Sequence, residues 1–396
     1  MKQFSKMMLA AVASVALAAP AFAWDFSASG SSSATFKQTS VAYPTGDGTA
    51  SMNTTSSGGG VTVSSSHTDG GNSATFSYTA DWNGDAGNFD EYVSVSGSKK
   101  VGNWTASSST TQHMQKDVTG GATPMLANNS AAITLTDGSI TYILGDAAHL
   151  STAEKAVNGP MDGAVDAEAR VDSFQGFSVG LGVGPGTLTV ALDMEAGTED
   201  TAFGDQSIAI ACGGGSTGFG LNFSGDVGAD LSFTYATASS TASGRTCTVS
   251  DNTSDSAASA NTMGLGVSIA AGPATIGLDY ESSHVEATAG GGDVTAVTTG
   301  SDKSGFELSV TMAMGDATAG VNVSSQTVTP TTDEAGETAA NASSTAGTEL
   351  WYSVPVGAVT LAIGYGSSAA TTGGSATVAD TTTTTTEIGA EMSMSF

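Results

Sequence analysis

Glu387-Ile-Gly-Ala-Glu-Met-Ser-Met-Ser-Phe396 closes the chain on a strict alternation. Ile388, Ala390, Met392, Met394 and Phe396 are apolar, with Glu387, Gly389, Glu391, Ser393 and Ser395 between them. A period of two is the signature of a β-strand with one apolar and one polar face. Working back from this strand, the same period recurs. Phe177, Val179, Leu181 and Val183 alternate with small residues and, after a Pro185-Gly186 turn, Leu188, Val190, Leu192 and Met194 repeat the pattern. Further hairpins turn at Gly225–Gly228, at Gly272-Pro273, at Gly315-Asp316 and at Gly357. The N-terminal half adds turns at Asp69-Gly70-Gly71, around Lys99–Asn103 and at Asp137-Gly138. Every one of these turns is short. Between the hairpins lie longer polar segments, Ala236–Asn261, Ser282–Lys303, Ser325–Thr348 and Ser367–Thr385, which read as loops. The threonine run Thr381–Thr386 reads as low-complexity sequence within the last of them.

Composition points the same way. With 52 Gly and only 8 Pro in 396 residues, and a heavy load of Ser and Thr, the chain favours strands joined by turns over long helices. A mean hydropathy of +0.04 is what a barrel strand gives when a lipid face and a lumen face average out. The formal net charge is −28, which excludes nucleic acid as a partner because phosphate binding needs clustered cations. Such an excess suits a solvated acidic surface, and equally a pore biased toward cations.

The N-terminus carries a three-part export pattern. Lys2 and Lys6 precede an apolar stretch from Met7 to Ala19, followed by Pro20 and Ala21-Phe22-Ala23, so residues 1–23 read as a signal peptide and 24–396 as one mature domain. Export allows Cys212 and Cys247, which flank a hairpin in Gly/Ser/Thr-rich surroundings, to form a disulfide. Two free thiols in loops are the other reading, since sequence alone does not bring them within bonding range.

The terminal strand resembles the C-terminal assembly signal of bacterial outer-membrane proteins, with Met392, Met394 and Phe396 as its apolar positions and Met394 where another aromatic often stands. That resemblance implies outer-membrane lipid and a barrel-assembly machinery as partners. The expected fold is all-β: a transmembrane antiparallel barrel of about 16–18 strands, with short periplasmic turns and long extracellular loops.

One segment differs from the other loops. Thr134–Asp146, an Asp-Gly hairpin and a strand ending Leu144-Gly145-Asp146, leads into the Ala-rich acidic stretch Ala147–Ala169. This resembles the general diffusion porins, particularly those of alphaproteobacterial type. In that family the corresponding loop folds inward and narrows the pore, its acids facing a basic cluster on the wall. The resemblance implies Asp146, Glu154, Asp162, Asp166 and Glu168 at a constriction, with Lys155 and Arg170 in or beside the loop. The basic cluster is largely missing here, which favours an acidic, cation-preferring throat. The family is usually homotrimeric.

The resulting expectation is a passive channel for small hydrophilic solutes and cations in the outer membrane, with no cofactor. Two rivals stay open: a secreted surface-layer or adhesin-like β protein, and a substrate-specific barrel. Enzymatic readings find no support, since His67, His113, His149 and His284 are scattered and none sits in a metal pair or beside a nucleophile elbow. Asp251 and Asp255, and Asp333, Glu334 and Glu337, match no calcium loop spacing and read as solvated charge.

Overall fold

The computed structural model describes residues 25–44, 48–83, 88–115, 125–151, 153–161, 174–193, 216–242, 256–291, 294–333, 342–373 and 380–396. The described residues form eighteen strands. The N-terminal ones are β1 (Asp25–Ala42), β2 (Thr49–Asp69), β3 (Asn72–Asn83), β4 (Asn88–Val101), β5 (Trp104–Gln115) and β6 (Met125–Thr136). The middle ones are β7 (Ile140–Ala147), β8 (Phe174–Val183), β9 (Gly186–Asp193), β10 (Ser216–Asp226), β11 (Asp230–Ala242) and β12 (Ser256–Ala271). The last are β13 (Ala274–Gly291), β14 (Val294–Met314), β15 (Ala317–Asp333), β16 (Ser343–Val356), β17 (Val359–Thr372) and β18 (Thr381–Ser395).

Each strand lies beside its neighbours in sequence within one 18-stranded sheet, and β1 pairs with both β2 and β18. This is the antiparallel up-and-down barrel, at the upper end of the expected strand number. A solenoid, the architecture of the structural-protein rival, stacks repeated coils and has no place for this pairing.

The hairpin turns fall where the sequence places them, at 70–71, 102–103, 137–139, 184–185, 227–229, 272–273, 315–316 and 357–358. Gly272 and Gly315 hold φ of 66° and 67°, the left-handed conformation that a side chain disfavours.

The loop expectation is corrected at the other ends of the strands. β13 runs on to Gly291 and β14 starts at Val294, so nearly all of Ser282–Lys303 is paired strand. β15 reaches Asp333, β16 begins at Ser343 and β17 reaches Thr372. The threonine run is likewise strand, the start of β18. β-Branched threonine suits a pleated backbone. A strand that has left the apolar band needs no apolar face, so the period-two hydrophobic signal vanishes while the strand continues.

The chain divides into two compact units. The first comprises residues up to Ala34, Ser56–Gly138 and Ser393–Phe396; the second comprises Thr35–Thr55 and Ser139–Met392. In the second, burial runs opposite to that of a water-soluble sheet. On β13, Leu278 and Tyr280 are 41% and 40% exposed, whereas Asp279 and Glu281 are 1% and 3% exposed. Their cross-strand partners follow suit: Leu278 faces Leu308, Tyr280 faces Phe306 and Asp279 faces Glu307. An outward apolar face over a buried polar one is stable only where the surrounding solvent is lipid. On β14 the apolar face runs from Phe306 to Met314. That span is about 27 Å along the strand, or roughly 20 Å across the bilayer at the usual barrel tilt, close to the height of a barrel's lipid band.

In the first unit the chain end is held by backbone pairing. Gly30 N–H donates to Phe396 O (2.8 Å) and Phe396 N–H donates to Gly30 O (2.9 Å). The Phe396 ring lies over Gly30, so that a Cβ there would stand 2.6 Å from the ring.

Candidate functional site

The site lies within the second unit and is built on the polar face of its sheet. After β7 the chain does not turn away from the wall; residues 148–151 and 153–161 lie along the polar face as an extended strap. No helix forms in its described residues, although the sequence there tolerates one.

The root of the strap is fixed by His149, which is buried. Its Nε2 lies 2.8 Å from Gly145 O, an atom that only accepts, so Nε2 carries the proton and Nδ1 receives the Ser178 hydroxyl at 3.0 Å. The ring lies against Phe174 with centroids 4.6 Å apart. Leu150 then joins Phe174, Ala191 and Ala236 in a small apolar cluster.

From there the wall supplies a succession of polar side chains that hold strap backbone. Ser151 Oγ donates to Asn222 Oδ1 (2.9 Å), while Asn222 Nδ2 (3.3 Å) and Thr234 Oγ1 (2.8 Å) donate to Ser151 O. Asp279 accepts the Lys155 N–H (2.7 Å to Oδ1, 2.9 Å to Oδ2) and the Ala156 N–H (2.5 Å to Oδ2). Val157 N–H donates to Ser309 Oγ at 2.9 Å. Glu349 accepts from Gly159 N–H (2.8 Å) and Met161 N–H (2.6 Å). Backbone donors with no ladder partner are thereby satisfied by carboxylates, the stronger class of acceptor.

Glycines in the wall make room for the strap. A Cβ at Gly220 would strike Leu150, one at Gly266 would strike the Ala153 carbonyl, and one at Gly277 would strike that of Lys155. Met161 packs against Gly364 and Gly389. The trough therefore runs from β10 to β18 at the level of the strap.

Three lysines of this face each meet a carboxylate. Lys155 Nζ reaches Asp230 at 2.8 Å, Lys37 reaches Glu387 at 3.6 Å, and Lys303 meets Glu281 at 3.0 Å with both side chains buried. Glu154 is exposed on the strap.

Of the residues expected at a constriction, the structure brings Glu154 and Lys155 onto the strap. Asp146 is placed elsewhere. It is the last residue but one of β7, opposite Gln175, on the parity of Tyr142 and Leu144, and so belongs to the outward face. Asp162, Asp166, Glu168 and Arg170 lie outside the described residues, as do residues 1–23, Cys212 and Cys247. Sequence reasoning missed the wall residues that seat the strap, Asn222, Asp279 and Glu349. For two of them a signal existed: Asn222 and Asp279 are polar residues set between apolar ones in a strand, Leu221 and Phe223, and Leu278 and Tyr280.

The polar face of the first unit has a different character. Hydroxyls bond across strands there, Ser73 to Ser98 (2.7 Å), Ser94 to Thr111 (2.9 Å) and Thr62 to Thr79 (2.9 Å). A recess of about 210 Å³ is lined by Ser96, Ser98, Ser107, Ser109 and Thr134 among others.

No protein-family model matches the chain, and no curated protein matches it. Solved structures do. The outer-membrane channel DcaP of Acinetobacter baumannii aligns with a TM-score of 0.52 at 12% identity, over 94% of this chain and 97% of that one. An anion-selective porin from Comamonas acidovorans aligns at 0.45 and 12% identity, over 94% and 100%. A doubly substituted porin of Rh. blastica aligns at 0.40 and 15% identity, also over 94% and 100%. The likeness to DcaP establishes the fold, a transmembrane antiparallel β-barrel of porin type, and nothing finer.

Proposed function

We propose that the chain is exported by residues 1–23 to the outer membrane and forms a non-catalytic, water-filled channel there. Small hydrophilic solutes would diffuse through it, with cations preferred. The observation that carries this reading is the strap: a segment laid across the polar face of a lipid-facing sheet, on a trough and anchors that serve no other evident purpose. A barrel of this strand number encloses an aqueous lumen, and an inward segment narrows it. The exposed Glu154, the pairing of Lys37, Lys155 and Lys303 with carboxylates and the net charge of −28 support the cation bias. Assembly through the C-terminal signal belongs to the same reading. A homotrimer rests on the resemblance to general diffusion porins alone.

The test is planar-bilayer recording of detergent-purified protein. Stepwise openings, with a reversal potential favouring K⁺ in a KCl gradient, are expected. The Glu154→Gln variant should keep the step size within about twofold and lower the cation preference, as loss of one charge near a narrow passage does. A folded barrel that inserts and never conducts would refute the channel, and an unchanged reversal potential in the variant would remove Glu154 from the account of selectivity.

A further inference from the structure

The outward face of the first unit differs in chemistry from that of the second, although the strands beneath are built to the same count. Gly97 and Val310 each stand five residues before a turn glycine, Gly102 and Gly315. Ser108 and Val321 each stand five residues after the second turn residue, Asn103 and Asp316. Across β12–β15 the row at this level reads Ile269, Ile276, Val310, Val321. Across β2–β5 it reads His67, Ala74, Gly97, Ser108.

The second row lies within the lipid band of its own unit. Ser108 stands opposite Ile133, and Thr110, one row further, stands opposite Val95, itself opposite Phe76. Phe76, Val95 and Ile133 are all exposed, and so they mark the face that meets lipid. Further along this face Gln112 Nε2 donates to Thr110 Oγ1 at 3.4 Å, and the Tyr78 hydroxyl donates to Glu91. Acyl chains offer such groups no hydrogen bonds, and an ionisable side chain facing them is costly. Small residues with hydroxyls and amides are what membrane segments present to one another.

Gly97 sharpens the point. Its φ is not positive, and a Cβ there would meet only the Ser73 carbonyl oxygen, at 3.3 Å. Neither a turn nor the packing of this unit calls for a glycine. A glycine inside a strand marks a place where another chain or a ligand comes close. Beside it, Ala74 and Ser108 extend the dip between the larger Phe76, Val95 and Ile133.

The face is also large enough for a stable contact. Six strands, β1–β6, spaced about 4.8 Å apart over a band about 25 Å tall, present roughly 700 Å² in flat projection. One partner in a specific interface contributes about 800 Å². A lipid would leave the hydroxyls and the amide without partners. A second copy brings the same hydroxyls, amide and small residues, a surface able to complement itself.

We propose that the outward face of β2–β5, centred on Gly97 and Ser108, is the surface on which a second copy of this chain docks within the membrane. The inference rests on the outer-membrane reading above and supplies the surface through which copies meet, but it does not depend on conduction.

The full-length protein, folded in mild detergent, is weighed by light scattering, with heat-modifiable migration as the check that each variant is folded. Wild type is expected at two or more chain masses. Gly97→Val, which suits a strand and fills the dip, should fall to one chain mass, as should Ser108→Leu. Val310→Phe, an enlargement at the matching position of β14, should leave the wild-type mass unchanged. In the outer membrane of expressing cells, a photoreactive benzophenone analogue at Phe76 should give an adduct of two chains, and at Phe306 adducts with lipid alone.

Folded variants at the wild-type mass would overturn the proposal, as would a Phe76 adduct with lipid only or with a protein of another mass. A wild type that is single-copy and conducts would remove the docking surface and leave the channel standing. Associated barrels that never conduct would do the reverse.

Discussion

Gly266 shows how much one missing Cβ carries. With a side chain at this position the Ala153 carbonyl cannot occupy its place, and backbone is the least yielding of obstacles. Gly266→Val should therefore lift the strap locally while the barrel still folds, raising single-channel conductance and its open-state noise. A conductance equal to wild type would show that the strap is not where the current is limited. Asp279 and Glu349 work from the opposite side by giving strap N–H groups their acceptors. Glu349→Leu leaves the buried Met161 N–H and the part-buried Gly159 N–H unpaired, at a cost of about 1–3 kcal/mol for the buried one. The expected readout is protease cleavage within residues 153–161 of the folded barrel, absent in wild type, and an uncleaved strap would show that Glu349 is dispensable.

At the level of elements, each strand is defined by which parity meets lipid. Leu308 lies on the apolar face of β14, next to its central position Val310 and opposite Leu278 and Val323. Leu308→Arg should lower stability in a lipid-refolding titration by about 2–4 kcal/mol, the cost of arginine near the midplane. Thr329→Arg, far up β15 beyond the band, should cost about 0–1 kcal/mol by the same depth dependence. Similar losses at both positions would contradict the assigned band. The hairpins were legible in the sequence because alternation and turn glycines coincide there, as around Gly272 and Gly315. The strands beyond the band were not, since at Thr381–Thr386 or in Ser282–Lys303 neither face is apolar and nothing alternates. The strap was half legible. Its position after Asp146 could be read, but acids close in sequence drew attention away from carboxylates on remote strands, such as Asp279 and Glu349. Asp146 shows the limit of reading by proximity: strand parity turns it from the segment it adjoins.

For the whole molecule, closure of the sheet depends on its two ends meeting. Phe396 pairs with Gly30 through two backbone hydrogen bonds that do not involve the ring. Phe396→Ala should therefore change the stability of the folded protein little, whereas Gly30→Val, which drives a side chain into ring and backbone, should cost about 1–3 kcal/mol through overpacking. Urea titration of both variants separates closure from recognition. If Phe396→Ala folds normally in vitro yet fails to accumulate in cells, the residue acts as an address read by other proteins. If both variants lose equal stability, the ring is a structural part of the seam.

The extension of β13 and β14 well past their apolar stretch has a consequence in electrical terms. A spanning strand needs about 9–11 residues, whereas β14 has 21. For a conducting pore, the added wall is a resistor in series with the narrow passage. Part of the applied voltage would fall along the outer tube, and the strap would experience only the remainder. Trimming the Gly291/Val294 end of that hairpin should then increase the current and steepen the voltage dependence of any event located at the strap, without touching the strap itself.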